Sequence, residues 1–273
     1  MCVDKKRNRI GRTLILLTGA AIVAGLMAAS AGAQSYTLSQ NGKGIGSASL
    51  SVRQGGQGVD ATSGAKVDMP GLKYSFNENA QLDPGYHLVS VKLSGSVNGS
   101  DAKVNAQPQG QQVVMHINAN GQAINTPLAM HKNAVFFPDF DPAALQTMLY
   151  LGAAQNNRDL WALVPKQTGS VAAIRVVTNA DMQGTLSGAP ITVHHFTASY
   201  GATKAEVFSG PRNELLQAEW TDEGFAMVRK EFKLTPSAKP TTAPPAKPAD
   251  AQQPQGQAPA PAQPQAQPQP QPQ

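Results

Sequence analysis

The sequence predicts a mainly β chain of the α+β class: a large curled antiparallel sheet, or an incomplete β-barrel, with one or two helices packed against it. Three observations point there. Apolar and polar residues alternate with a period of two over many short stretches, Asn-Gly pairs punctuate those stretches, and one segment reads as a capped helix.

The alternation is clearest in three places. Ala48, Leu50 and Val52 alternate with Ser47, Ser49, Ser51 and Arg53; Val89, Val91 and Leu93 alternate with Ser90, Lys92 and Ser94; Val113, Met115 and Ile117 repeat the pattern. Successive side chains in a strand point to opposite faces, so each stretch reads as a strand with one buried and one wet face. Asn41-Gly42, Asn98-Gly99 and Asn120-Gly121 fall between such runs. Both central residues of a type I′ hairpin turn take positive φ, which Asn and Gly tolerate, so the strands are expected to follow one another as a meander. Further strands are expected over 160–164, 171–178, 191–200, 204–208, 214–220 and 225–234. That makes a sheet of about ten strands, wide enough to curl.

The helix signal begins at Asp141, which reads as N-cap, with Pro142 as the first helical residue. Leu145, Met148 and Leu149 share one face, and Gly152 is placed to end the helix.

The two ends of the chain differ from this middle. Lys5, Lys6, Arg7, Arg9 and Arg12 form a basic head, residues 13–29 carry no charge, and Ala31-Gly32-Ala33 offers the small-x-small pattern at which signal peptidases cut. Residues 1–33 are expected to be a signal peptide cleaved after Ala33, with the bond after Ala31 as the alternative. A retained membrane anchor competes with this, since the uncharged run approaches the roughly 18 residues of a spanning helix. Gly19, Gly25 and the small-residue exit favour cleavage. Residues 34–234 then form the β-rich domain of a periplasmic or secreted protein that keeps no membrane span. Residues 235–273 hold 12 of the 21 prolines, interleaved with Gln and Ala. Such a segment cannot bury enough apolar surface to offset its ordering entropy, and a disordered, proline-rich tail is expected.

Charge and cysteine content narrow the function classes. Of 22 Lys+Arg and 17 Asp+Glu, five basic residues and Asp4 lie in the first 33, which leaves 17 against 16 in the rest. No basic surplus remains for nucleic-acid binding. The single cysteine, Cys2, precedes the uncharged run, so the remaining chain has neither disulfides nor thiolate chemistry.

Candidate chemistry is sparse. His194 and His195 are neighbours, which in a strand point to opposite faces, and His87, His116 and His131 stand at no metal-ligand spacing. Asp139 and Asp141 resemble an acid-base pair, yet capping accounts for Asp141 and a turn for Asp139. No G-x-S-x-G elbow and no glycine-rich phosphate loop occurs. No catalytic residue, metal or cofactor is assigned, and a hydrolase built from Asp139 and histidines is the second reading. Arg175 interrupts the apolar run 171–177 and is a candidate buried charge, with Glu206 or Glu219 as partner, or else an edge charge guarding a strand. Phe136, Phe137, Phe140, Leu145, Leu149, Tyr150 and Trp161 gather around the helix. They are core, or they wall an apolar groove at the helix edge.

The stretch from Tyr36 through Asn41-Gly42 to Gly44-Ile45-Gly46 resembles the opening of a β-rich periplasmic family of unknown function. Residues 191–196, 206–208, 213–219 and 224–228 look like the closing strands of the same group. The resemblance implies an incomplete barrel of antiparallel strands wrapping a helix, similar to lipoprotein-carrier proteins that hold acyl chains in a groove. It implies ligand binding, and with no catalytic motif in the sequence the expectation is a non-enzymatic envelope protein that binds an apolar ligand or a partner protein.

Overall fold

The computed structural model describes residues 32–166 and 168–236. The expected export signal, apart from its last two residues, and nearly all of the proline-rich tail lie outside them.

Eight strands open the chain: β1 (Gln34–Gln40), β2 (Lys43–Gly55), β3 (Gly58–Met69), β4 (Leu72–Leu82), β5 (Leu88–Val97), β6 (Ser100–Gln109), β7 (Gln112–Ala119) and β8 (Gln122–Ala129). Each pairs antiparallel with the next, as the alternation predicts. The expected Asn-Gly turns hold: Asn41, Asn98 and Asn120 have φ of 49°, 50° and 53°, each followed by a glycine at positive φ. Nine strands and one helix follow: β9 (Ala134–Phe136), α1 (Pro142–Gln155), β10 (Leu160–Val164), β11 (Ser170–Thr178), β12 (Met182–Leu186), β13 (Ala189–Tyr200), β14 (Thr203–Ser209), β15 (Leu215–Trp220), β16 (Phe225–Arg229) and β17 (Phe232–Leu234).

All 17 strands belong to one curled, open sheet, more than the ten that the alternation indicates. The extra strands include β8, which is exposed along most of its length, and β3 and β4, whose buried faces alternate but carry the polar Ser63 and Glu78. The stretch expected as one strand over 225–234 is two, because the chain turns at Lys230 and Glu231, and β17 pairs with β12 instead of continuing beside β1. The sheet is also mixed: β9 and β10 run parallel, Ala162 opposite Val135, with α1 as the crossover between them.

Pairing runs unbroken from β8 through β1 to β16, then β15, β14, β13, β11, β10 and β9. The sheet rolls until β9 lies against β5 and β8 against β11, and no strand register joins β8 to β9 among the described residues. The outer border, β8, carries Pro127, which has no N–H to offer a further strand. The β12–β17 ribbon covers the outer face of β13 to β15, where Val193, Phe208, Leu216 and Phe232 form a small second core.

Inside the roll sits α1. Asp141 caps it in extended conformation, its carboxylate accepting from the Ala143 and Ala144 N–H groups at 3.1 and 2.8 Å. The expected single buried face is too narrow a description. Every residue from Pro142 to Leu149 is buried, since the sheet surrounds the helix. Nor does Gly152 end it. The helix continues to Gln155 and stops at Asn156, which takes the left-handed conformation. Gly152 is instead a point of close approach: a Cβ there would stand 2.5 Å from the Asn157 side chain.

Candidate functional site

The hairpin turns at 41–42, 70–71, 201–202 and 221–224 lie at one end of the rolled sheet, and the Asn41 N–H donates to the Gly224 carbonyl across two of them. The N-terminus of α1 points to this end. Tyr150, near the other end of the helix, stacks on Tyr86 in the opposite rim, with ring centroids 4.9 Å apart.

At the end that α1 faces lies a cavity of about 250 Å³. Met69 and Leu72 wall it from the β3–β4 hairpin, Tyr200 and Thr203 from β13–β14, and Trp220 and Phe225 from β15–β16. Phe137, Pro138, Phe140 and Asp141, the lead-in to α1, form its floor, and Asp139, Lys166 and Glu223 stand at its rim. Phe140 has φ 57°, a backbone state that a bulky side chain seldom takes. The strain places its ring edge-on to both Phe225, at 5.0 Å and 81°, and Trp220, at 6.0 Å and 72°. Phe137 meets Tyr200 at 4.7 Å. Two wider hollows, of about 430 and 340 Å³, lie at strand ends among mainly polar residues. Neither has an aromatic wall.

Beneath the cavity floor a polar cluster crosses the core. Ser63 on β3 and Glu78 on β4 stand opposite each other in register, both buried and facing α1. The Ser63 hydroxyl donates to Asp141 Oδ1 at 2.5 Å, and a side-chain hydrogen bond joins Glu78 to Asp141. Burial first, then the Asp141 charge, pushes Glu78 well above the usual carboxylate range, so it is the neutral donor of that pair. Its Oε2 meets no donor among the described residues, in keeping with a carboxyl that gives rather than accepts a proton. Burial also pushes Asp141 up to about 6, against the lowering effect of the bonds from Ser63, Ala143 and Ala144.

Of the seven groove candidates, Phe137 and Phe140 line the cavity. The other five do not join them. Leu145 and Phe136 are core, at 1% and 3% exposure, and Phe136 faces β5 on the far side of α1. Leu149 packs toward Val176 and Phe196, and Tyr150 toward Tyr86. Trp161 stacks on His131 at 3.6 Å and donates its indole N–H to Asp159 at 2.8 Å. A helix surrounded by sheet sends successive side chains to different walls, so neighbours in sequence do not share one groove.

Arg175 is not buried. It is exposed on β11 opposite Ser199, on the outer face, while Ile174 beside it points inward. Glu206 pairs instead with His195 and Lys204, at 2.9 and 3.3 Å. Asp139 is held by Lys166 at 2.8 Å, and no histidine lines the cavity. His87 bonds Asp83, His116 bonds Asn125 and His194 bonds Asp181, so the histidines and Asp139 do not converge. No group of three or more metal-ligating side chains occurs among the described residues.

Sequence reasoning missed Trp220, Tyr200 and Phe225. Their signal was position: each is the last or first residue of a strand beside a turn, and such turns gather at one end of a meander. Glu78 was legible too. Phe76, Glu78, Ala80 and Leu82 alternate along β4, which puts a carboxyl on the apolar face.

No family model and no curated protein matches the chain. Two solved structures are similar to it. A β-barrel-like protein of the domain of unknown function DUF1849 from Brucella abortus has 11% identity and a TM-score of 0.50, over 75% of this chain and 97% of its own. A DUF1089 family protein from Pseudomonas aeruginosa has 12% identity and a TM-score of 0.38, over 62% of this chain and 87% of its own. The first likeness is one of fold, a β-barrel-like sheet, and agrees with the incomplete barrel described above.

Proposed function

We propose that this chain is an exported protein of the cell envelope that holds an apolar ligand at the end of its rolled sheet without transforming it. The observation that carries the ligand reading is the cavity at Phe140: aromatic side chains from two hairpins and aliphatic ones from a third meet over a strained residue. At about 250 Å³ the space exceeds that of an engineered apolar cavity of about 150 Å³ that admits benzene. Apart from Asp141 in the floor and Thr203 in the wall, its polar side chains sit at the rim, an arrangement in which apolar contact gives affinity and a few fixed groups give orientation. Export rests on the basic head, uncharged run and Ala31-Gly32-Ala33 exit of the sequence.

Three measurements test the proposal. Nile red, a neutral apolar dye, should bind the protein one to one, and Met69→Trp, which fills the cavity mouth, should remove binding while the circular dichroism spectrum stays native. Dye binding that survives Met69→Trp places the ligand elsewhere and sinks the reading. N-terminal sequencing of the secreted form should begin at Gln34 or Gly32; an intact Met1 in a membrane fraction would show an anchor. Mass spectrometry of the purified protein should find a small apolar molecule. A co-purifying polypeptide would favour a partner protein docked at the same mouth.

A further inference from the structure

Resting on the cavity as a ligand site, we infer that its preferred ligand is an amphiphile with a cationic head, such as an alkylammonium, rather than a fatty acid or other anion. The charges around the cavity carry this. Three carboxyl-bearing residues, Asp139, Asp141 and Glu223, line it against a single ammonium, Lys166. Lys166 is committed to Asp139 at 2.8 Å, and Glu223 has no ion-pair partner among the described residues. An anion entering the mouth meets Glu223 uncompensated and must separate an existing ion pair to reach Lys166. A cation meets attraction from Glu223 and the outer oxygen of Asp139.

The walls act in the same direction. Trp220, Phe225, Phe140 and Tyr200 present rings from different elements around one space. Ring faces carry negative electrostatic potential, and alkylated ammonium groups, being weakly hydrated, gain most from it. Low-dielectric aromatic walls also focus the field of the carboxylates into the opening. The field is felt by the lining itself. Burial, together with the nearby Asp139 and Glu223 carboxylates, pushes the Tyr200 hydroxyl up to about 12.

The test compares three probes of equal alkyl length: decyltrimethylammonium, decanol and decanoate, titrated calorimetrically into the purified protein at low ionic strength and below their micelle concentrations. The expected order of affinity is ammonium, alcohol, carboxylate, with the first bound at least about tenfold more tightly than the last. Glu223→Gln should shrink that ratio several-fold. The double variant Asp139→Asn with Glu223→Gln, which frees Lys166, should invert it in favour of decanoate. Equal affinity for all three probes, or a ratio that the variants leave untouched, overturns the cation preference while the cavity remains a ligand site. Decanoate binding best to the unaltered protein overturns it likewise. If none of the three binds, the cavity is not a ligand site and the inference falls with it. Melting curves of the variants verify that each is folded.

Discussion

Ser63 on β3 donates its hydroxyl to the Asp141 carboxylate at 2.5 Å, and so ties the N-cap of the internal helix to the strand that surrounds it. The same carboxylate accepts from two backbone N–H groups at the start of α1. Helix start and sheet are thus held by one side chain, at the floor of the cavity.

Asp141→Ala should therefore cost more than an ordinary cap. Losing the cap costs about 1 kcal/mol, and orphaning buried Ser63 and Glu78 adds about 1–3 kcal/mol for each group. Ser63→Ala should cost about 1 kcal/mol, and the double variant should lose less than the two together. Urea unfolding of the four proteins measures this; additive losses would mean that the two residues do not act on each other.

The Glu78–Asp141 pair sets a pH dependence. Both carboxyls are raised in the folded state, mainly by burial, so each binds protons more tightly folded than unfolded. Their contribution is complete at low pH and is lost as pH rises, for Asp141 between its usual 3.8 and about 6, and for Glu78 well above its usual range. Asp83, Glu206 and Glu231 are lowered and act oppositely, losing stability as pH falls into the acid range. The melting temperature should peak on the acid side of neutrality and fall toward pH 8. Glu78→Gln should flatten the fall, and a curve unchanged by that substitution would refute the assignment.

The parts of the fold that the sequence discloses are those whose cause is local. Asn41-Gly42 makes its hairpin wherever it stands, Asp141-Pro142 starts a helix, and the β7 alternation needs no partner to be recognised. What stayed hidden depends on distant partners. Nothing within Ala134–Phe136 announces a parallel pairing with β10, and nothing near Leu149 says that a sheet encloses all sides of α1. The candidate site divides in the same way: Phe137 and Phe140 are neighbours of the helix start, whereas Trp220 and Tyr200 reach the cavity through the roll of the sheet. Arg175 stood as a candidate buried charge beside the edge-charge reading because its neighbours are apolar, but the outer face of β11 exposes Val177 as well.

Leu149 separates core from cavity. It is buried at 6% exposure and faces Val176 and Phe196, away from Phe140. Leu149→Glu should unfold the protein, since an unpaired buried charge costs about 3–5 kcal/mol against a total stability of about 5–15. Folded Leu149→Glu protein that has lost dye binding would relocate the ligand site to that side of the helix.

Two strand glycines with opposite surroundings give a further test. A Cβ on Gly95 would stand 2.0 Å from the Ser75 carbonyl oxygen across the β4–β5 pair, whereas on Gly44 it would meet nothing within 4 Å. Gly95→Ala should cost at least about 1–3 kcal/mol from overpacking. Gly44→Ala should be neutral, or stabilise by up to about 1 kcal/mol by restricting the unfolded chain. Equal effects in thermal melts would show that the β4–β5 spacing is wrong.

The pairing of β1 with β16, Tyr36 opposite Arg229, joins the first strand to the last but one. Strands β1 to β8 can zip up one after another at short sequence separation, but the second edge of β1 waits for the end of the domain. High contact order of this kind slows folding, because the loop-closure entropy of almost the whole domain is lost before the reward arrives. Until Phe225 to Arg229 have emerged, an eight-strand ribbon carries an unpaired edge with Tyr36 and Leu38 uncovered. A nascent or truncated chain stopped before that point is a template for pairing with its own copies, so the last strands guard against aggregation as much as they complete the domain.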